Sequence, residues 1–311
     1  MKLRVNPPIE LDLPASSDPS PQQAFAGLSN ALLTGTSRSI HAPDLAGALS
    51  IKAVIAGSVS WRMEGHTYVV RENSYLVVNE GQTYSFTIDC ATPSITFSIF
   101  FQHGFVEEVH RGLTEPDCAL LDAPAVAQVP LMFRQRLEPE PSGVLAALRA
   151  LHAARSRGST SRTATEEAFL RIAGALVREF PRTEAAASRL SCARASTREE
   201  LLRRVLRGRD FLLSRMNESV SIADAARAAC MSQYHFFRAF RAAFQVSPHQ
   251  FLTTQRLARA RLLLRAGKHT VTEVCLESGF QSVSSFSSLC RRHFGVSPQA
   301  ELAHPPHDLP R

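Results

Sequence analysis

A short pattern occurs twice near the C-terminal end of the chain. The first copy spans residues 232–248, from SQYHF to FQVSP, and the second spans residues 282–298, from SVSSF to FGVSP. A short apolar segment precedes each copy, at residues 222–229 and 271–278. A short helix, a tight turn and a longer helix form a helix-turn-helix. The duplication therefore predicts an all-α domain with two such units, an arrangement typical of DNA binding.

The net positive charge of the chain lies in its last third. Residues 1–195 carry 18 Lys and Arg against 19 Asp and Glu, whereas residues 196–311 carry 17 against 9. Of these 17 basic residues 16 are Arg, whose planar guanidinium suits phosphate groups and guanine edges. Phosphate neutralisation supplies much of the affinity of a DNA-binding surface. We therefore expect double-stranded DNA as the partner of this region.

Length and composition limit the remaining classes. A chain of 311 residues exceeds a usual single core, and 44% hydrophobic content is sufficient for two globular domains. No apolar run approaches the roughly 18–20 residues that cross a bilayer, and the N-terminus lacks a signal-peptide pattern. The six cysteines include no Cys-x-x-Cys pair, so reduced, buried thiols are expected. The sequence predicts a cytoplasmic protein with no membrane partner, no cofactor and no metal.

The N-terminal half has the pattern of a β-domain. Residues 1–24 contain five Pro and little apolar periodicity, which predicts a flexible arm or a segment that covers a later sheet. Six β-branched and aromatic runs follow between residues 50 and 101, separated by Gly and Asn turns. Such spacing is typical of antiparallel strands in a sandwich or barrel. We assign residues 25–141 to a β sensing domain.

Helical periodicity begins after this region. Apolar residues recur at helical spacing in residues 144–154 and 164–180, and Pro181 then favours a helix stop. The remaining assignments are a helical dimerisation and linking segment, a linker, the DNA-binding domain and a tail, at residues 142–180, 181–196, 197–302 and 303–311.

The DNA-binding domain has recognisable helix starts and stops. Residues 197–200 have the spacing of a capping box, and the recognition helices are predicted at about 232–244 and 282–294. Between them, a helix beginning at Pro248 is expected to end before Gly267, which can take a left-handed conformation. About 20 residues give a helix of ~30 Å. This length is close to the ~34 Å between successive major grooves on one face of DNA.

These features resemble the DNA-binding domain of the AraC/XylS family of bacterial transcription regulators. The resemblance covers residues 198–302, about a third of the chain. It implies that early recognition-helix positions face the bases and that neighbouring hydroxyl and guanidinium groups contact phosphates. The implied base contacts are Gln233, Tyr234, Phe237, Arg238, Val283, Ser284 and Ser287, and the implied phosphate contacts are Ser232, Arg241, Ser282, Arg291 and Arg292. Ser288 departs from the pattern, because it stands where the first unit has Arg238 and where family members often have Arg.

The same resemblance implies a fold for the N-terminal half. It suggests a cupin-like antiparallel β-barrel that binds a small effector and leads into dimerising helices, so the expected fold class is α+β with two domains. The candidate effector pocket is Val54, Trp61, Tyr68, Phe86 and Phe97. Plain core packing predicts the same alternation of apolar residues, so both interpretations stay open. A homodimer and contact with RNA polymerase are expected by family analogy.

We expect a sequence-specific transcription regulator without enzymatic activity, and an activator by family analogy. One alternative is an effector-independent regulator whose N-terminal domain serves only for dimerisation. A second is a DNA-repair methyl acceptor, which would need a metal-held cysteine cluster that the cysteine spacing does not offer. A third is a cupin-type metal enzyme fused to the DNA-binding domain, which would need about three clustered ligands. The sequence leaves the effector, the operator and the direction of regulation open.

Overall fold

The computed structural model describes residues 6–13, 27–116, 130–158, 161–190 and 194–303. The chain divides into two compact units, Met1–Ala185 and Ala186–Arg311, and the boundary falls inside the predicted linker. Most of the predicted arm and tail, at residues 1–5, 14–26 and 304–311, lies outside the described residues. No helix in the described ranges is long and apolar enough to cross a membrane.

An eight-stranded sheet forms the first unit. Its strands are β1 Ile9–Leu13, β2 Ala31–Leu45, β3 Ser50–Ala56, β4 Ser58–Met63, β5 His66–Arg71, β6 Ser74–Val78, β7 Tyr84–Phe100 and β8 Leu137–Pro139. The strand order is β1-β2-β7-β3-β6-β8, and β4 pairs with both β5 and β7. Strand β1 runs parallel to β2, whereas β2 pairs antiparallel with β7.

The sheet corrects the predicted antiparallel barrel. In the described ranges it does not close, because β1 and β8 stand at the two ends of the strand order, and it is mixed rather than purely antiparallel. The pattern predicts two strands where β7 is a single strand of 17 residues. The first half of β7 pairs with β4 and its second half with β3. Alternation of side chains predicts that a strand forms, but it does not select the partner strand.

Two strands near the N-terminus are absent from the sequence prediction. Ile9–Leu13 lies within the predicted flexible arm, yet it forms the edge strand β1. Residues 31–45 form β2, although Thr, Ser and Pro interrupt the apolar residues of this segment. Both strands are stabilised by pairing with neighbours distant in sequence, a contribution that local pattern does not contain.

The described residues of the first unit also contain three helices, namely α1 Phe105–Thr114, α2 Gly143–Ser156 and α3 Arg162–Ser188. Buried residues of α2 and α3, including Leu148 and Phe169, share one core cluster with Phe97 of the sheet. Glu179 organises the helix pair, because it accepts hydrogen bonds from Tyr75 Oη at 2.7 Å and from the Ser142 hydroxyl at 3.0 Å.

The second unit contains seven helices in its described residues. They are α4 Ala195–Ser214, α5 Ile222–Ala228, α6 Gln233–Phe244, α7 Pro248–Ala266, α8 Val271–Glu277, α9 Val283–Phe294 and α10 Pro298–Ala303. Helices are observed over both segments predicted as recognition helices, namely α6 and α9. The long helix α7 is also confirmed, and Gly267 follows it in the left-handed conformation with φ 67°.

Two predicted helix boundaries are wrong. Helix α3 was expected to stop at Pro181 but extends to Ser188, since one missing N–H need not end a helix that tertiary packing supports. The capping box at residues 197–200 does not form. Helix α4 begins earlier, at Ala195, and Glu200 instead accepts hydrogen bonds from Arg203 and Arg204.

Candidate nucleic-acid interface

The first helix-turn-helix begins with a closed capping box. The Ser221 hydroxyl accepts a hydrogen bond from the Asp224 N–H at 3.1 Å, and Asp224 accepts one from the Ser221 N–H at 3.1 Å. The Ser221 hydroxyl also donates to the Asp224 carboxylate at 2.7 Å, and the two hydrogen bonds that this carboxylate accepts from Ser221 hold the pKa of Asp224 below its ordinary value. Cys230 then turns the chain with a φ of 53°, a left-handed value uncommon outside glycine. Ser232 starts α6 by accepting the His235 N–H at 3.3 Å.

The buried face of α6 is aromatic. Phe236 and Phe240 are completely buried, and Phe240 packs against Phe251 of α7 with ring centroids 5.5 Å apart. Gly208 of α4 provides the space for this packing. A β-carbon at residue 208 would lie 2.3 Å from the Phe236 ring and 2.9 Å from the Ala225 carbonyl oxygen. The phenylalanine stripe thus belongs to the core, as its four-residue spacing predicts.

The opposite face of α6 is open to solvent. Tyr234 is 71% exposed and Phe237 is 39% exposed, and Gln233, Arg238 and Arg241 are exposed beside them. The guanidinium carbon of Arg238 lies 5.8 Å from the centroid of the Tyr234 ring, a cation–π distance. Large aromatic side chains exposed next to arginines are unusual on a surface that has no partner.

The second helix-turn-helix repeats the caps and the turn of the first. Thr270 and Glu273 form the capping box of α8, Gly279 turns the chain with a φ of 84°, and Ser282 accepts the Ser285 N–H at 3.3 Å to start α9. Phe286 is completely buried, as is its equivalent in α6. Cys290 replaces the ring of Phe240 and is also buried. Burial raises the pKa of the Cys290 thiol to about 12.

The open face of α9 differs from that of α6. Val283 is 38% exposed, Ser284 and Ser288 are exposed, and Ser287 is half-buried. Arg291 is exposed toward the C-terminal end of the helix, together with Arg292. The early positions of α9 therefore offer methyl and hydroxyl groups, whereas those of α6 offer rings, an amide and a guanidinium.

The two helix-turn-helix motifs are joined by contacts in addition to the long helix α7. Arg256 of α7 donates hydrogen bonds to the carbonyl oxygens of Met216 at 2.7 Å and Glu218 at 2.8 Å, in the loop between α4 and α5. Gly279, in the turn of the second unit, packs against the same loop. A β-carbon at residue 279 would lie 2.3 Å from the Met216 oxygen and 2.9 Å from Arg256 Nε. This loop therefore contacts both helix-turn-helix motifs and fixes one motif against the other.

Four arginines of the open faces have no ion-pair partner in the described part of the chain, namely Arg238, Arg241, Arg291 and Arg292. Other arginines of the domain are already neutralised. Arg203 and Arg204 pair with Glu200, and Arg261 pairs with Glu301. The arrangement thus leaves uncompensated positive charge on both recognition helices, which is what phosphate binding requires.

Residues 225–303 match the family model of a helix-turn-helix domain. The chain is 29% identical over 89 residues to the probable transcriptional regulator LumQ of Photobacterium leiognathi, covering 29% of this chain and 36% of LumQ. It is 33% identical over 87 residues to the HTH-type transcriptional regulator MtrA of Neisseria gonorrhoeae, covering 28% of this chain and 29% of MtrA. A solved probable AraC family transcriptional regulator from Rhodopseudomonas palustris CGA009 is 26% identical, covering 33% of this chain and 97% of that one, with a TM-score of 0.32. Residues 225–303 are thus a helix-turn-helix domain similar to those of AraC-type transcriptional regulators.

The match to these relatives is partial. The chain spans about a third or less of the length of LumQ and MtrA.

The five predicted effector-pocket residues are all buried. Trp61 stands opposite Tyr68 and Phe86 in the strand ladders, and its ring meets Phe86 edge-on at 5.1 Å. Phe97 belongs to the core cluster that includes α2 and α3. None of the five, Val54 included, lines the cavities beside His152, Glu80 or Phe133. The Trp61 N–H has no hydrogen-bond partner within the described residues.

Sequence reasoning missed other features of the first unit. Lys52 is completely buried, with its ammonium 3.0 Å from Tyr84 Oη and 3.9 Å from the centroid of the Phe100 ring. Burial lowers its pKa well below the ordinary value. A cavity of about 360 Å³ is lined mainly by apolar residues, among them Leu49, Phe101 and Leu131, beside Glu80 and Glu107.

Four of the six cysteines lie in the described ranges. Cys275 and Cys290 are buried as expected, but Cys230 is exposed because the turn places it at the surface. Cys118 and Cys192 lie outside those ranges. No cluster of three or more His, Cys, Asp or Glu in the ranges has a geometry that could hold a metal ion.

Proposed function

We propose that this chain is a sequence-specific transcription regulator of the AraC/XylS family that places α6 and α9 in successive major grooves. The observation that carries the proposal is the pair of open helix faces with uncompensated arginines on one rigid domain. In it, the base contacts are Gln233, Tyr234, Phe237, Arg238, Val283, Ser284 and Ser287. The phosphate contacts are Ser232, Arg241, Ser282, Arg291 and Arg292.

The two units have unequal tasks in this proposal. Arg238 can offer two parallel donors to a guanine, which is worth about 1–3 kcal/mol of discrimination. The early positions of α9 carry no comparable long donor. The first helix-turn-helix therefore selects bases, and the second mainly holds the DNA backbone.

Binding of the full chain to duplex DNA as a function of salt tests the proposal. Affinity is expected to fall steeply with salt, and Arg241→Ala and Arg291→Ala are each expected to reduce the logarithmic slope by about 1. Arg227→Ala is the matched control, because Arg227 is exposed and already forms an ion pair with Asp224. Salt-independent binding, or no binding to any duplex, would contradict the proposal.

The N-terminal domain is proposed to sense a small effector and to dimerise, and the whole protein to activate transcription through RNA polymerase. The family resemblance supports activation and dimerisation. The cavity of about 360 Å³ supports sensing, because its volume lies in the ~300–1,000 Å³ range of ligand pockets and apolar walls surround two carboxylates.

A promoter-reporter assay separates sensing from a purely dimerising role. Met132, 63% exposed, is a lining residue, so Met132→Trp is expected to narrow the cavity and remove the response to effector without unfolding the domain. Leu113→Trp, at a 51% exposed position that does not line the cavity, is the control. A response unchanged by Met132→Trp would exclude this cavity as the effector site.

A further inference from the structure

The aromatic side chains on the open face of α6 have no structural task that the domain requires. Phe236 and Phe240 fill the core, whereas Tyr234 and Phe237 project from the other side of the same helix. Exposure of two aromatic rings costs favourable burial that a partner can restore. Their neighbours are polar groups, Gln233 and Arg238, so the surface combines apolar area with hydrogen-bond donors at one end of the helix.

Arg238 is held by one of these rings. Its guanidinium lies 5.8 Å from the Tyr234 centroid, and no carboxylate in the described part of the chain pairs with it. A ring under a guanidinium limits the rotamers of the long side chain, so less entropy is lost when its planar fork binds. In a major groove, the acceptor pair that matches such a fork is O6 and N7 of guanine.

The apolar group that B-DNA presents in its major groove is the 5-methyl of thymine. Cytosine presents an amino donor nearby, and an aromatic ring packed against it would remove its water without replacing the hydrogen bond. Positions 234, 237 and 238 lie within about one helical turn, or ~5.4 Å, while base pairs are ~3.4 Å apart. The three side chains therefore cover about two neighbouring base pairs.

We propose that α6 selects a thymine within about two base pairs of a guanine, with Phe237 and Tyr234 on the thymine methyl and Arg238 on the guanine. This inference rests on the proposed function, since it requires α6 to lie in a major groove. It assigns sequence information to one half-site. The half-site that α9 contacts through Val283 and its serines carries less sequence information.

The test begins with selection of bound sequences from a random duplex library by the full chain. The same selection is repeated with Arg238→Ala, and the position that loses its guanine preference marks the base contacted by Arg238. Thymine is expected within about two base pairs of that position. That thymine is then replaced by deoxyuridine, which removes only the methyl group.

Wild-type protein is expected to bind the deoxyuridine duplex about fourfold more weakly, which corresponds to about 0.8 kcal/mol for one methyl at 1.4 kcal/mol per tenfold. The ratio of the two affinities should fall toward unity in Phe237→Ala or Tyr234→Ala, whereas Tyr234→Phe should retain the fourfold ratio. Leu276→Ala, at a 59% exposed position on α8 outside the proposed DNA contacts, is the matched control and should leave the fourfold ratio unchanged. The altered side chains are exposed, so thermal unfolding should match that of the wild type.

Three outcomes would overturn the inference: no thymine near the guanine, equal affinity of wild-type protein for both duplexes, or an undiminished methyl effect in both alanine variants. Each of them presupposes sequence selection and salt-sensitive binding. The absence of any such binding would instead contradict the proposed function itself.

Discussion

Each recognition helix has twelve residues, a serine N-cap and a left-handed residue after its last turn, yet α6 and α9 present different side chains to solvent. Tyr234 and Arg238 stand where α9 has Ser284 and Ser288. Buried positions are more alike, since Phe236 and Phe286 are both completely buried. The comparison teaches that the helix-turn-helix framework restricts core and cap positions, whereas its outward positions vary with the partner.

The turns of the two units also differ. The second helix-turn-helix has glycine at both left-handed positions, Gly279 and Gly295. The first helix-turn-helix has Cys230 at φ 53° and Gln245 at φ 61° in the equivalent positions. A non-glycine residue in this conformation costs about 1–2 kcal/mol. The first unit tolerates that cost, and the Gln245 side chain compensates part of it by donating to the Ala242 carbonyl oxygen at 2.8 Å.

Gly279→Ala is expected to have the largest effect on stability. The new methyl would meet the Met216 oxygen at 2.3 Å in addition to the left-handed strain, so we expect a loss of about 3 kcal/mol in the free energy of unfolding. Gly295→Ala is the matched control, because its φ is similar and no atom lies within 4 Å, and it should cost about 1 kcal/mol. Chemical denaturation measures both, and equal losses would refute the shared contact between the units.

Arg238→Ala and Ser288→Ala compare the two open faces directly. We expect Arg238→Ala to weaken specific DNA binding by about 1–3 kcal/mol, or roughly fivefold to 140-fold, because it removes a charged fork from the groove. Ser288→Ala should change affinity by less than about threefold. Titration of a selected duplex at fixed salt measures both, and equal losses would contradict the unequal tasks assigned to the units.

Glu301→Gln addresses an ion-pair cluster of the second unit. Burial raises the pKa of Glu301, but hydrogen bonds from Arg261 and Arg265, both 2.7 Å, outweigh burial and leave it below the ordinary 4.5. A lowered carboxyl pKa gives stability that is present above pH 4.5 and is lost as the pH falls through the folded-state pKa. The variant should be less stable by about 1–2 kcal/mol at pH 7. The difference from wild type should shrink on acidification below pH 4.5, and a difference independent of pH would argue against this cluster.

Gln245→Gly is expected to have the smallest effect. It gives the first unit the residue that the second unit already has, relieving left-handed strain but losing one exposed hydrogen bond and adding chain entropy to the unfolded state. A net gain of up to about 1 kcal/mol in unfolding free energy is expected. Thermal unfolding checks the sign, and destabilisation would show that the Gln245 side chain outweighs the strain.

Prediction from sequence succeeded where local signals agree with the tertiary structure. The Phe stripe of α6, Ser232 as its N-cap and Gly267 after α7 are each fixed by spacing, capping or φ, and all three are observed. Prediction failed where a distant partner decides. Residues 31–45 form a strand because β7 pairs with them, and the start of α4 does not follow its apparent capping box. Arg209 lies on the polar side by helical periodicity, yet it is buried against Asp210 and Phe244.

The sequence by itself determined the duplicated helix-turn-helix, its concentration of arginine and the residues of each recognition helix, because those properties follow from short-range spacing and side-chain chemistry. Tertiary structure alone decided that the sheet is open and mixed. It also decided that Arg256 and Gly279 both contact the Met216 carbonyl and so join the two helix-turn-helix motifs. Such features depend on contacts between residues far apart in the chain, which a local pattern does not encode.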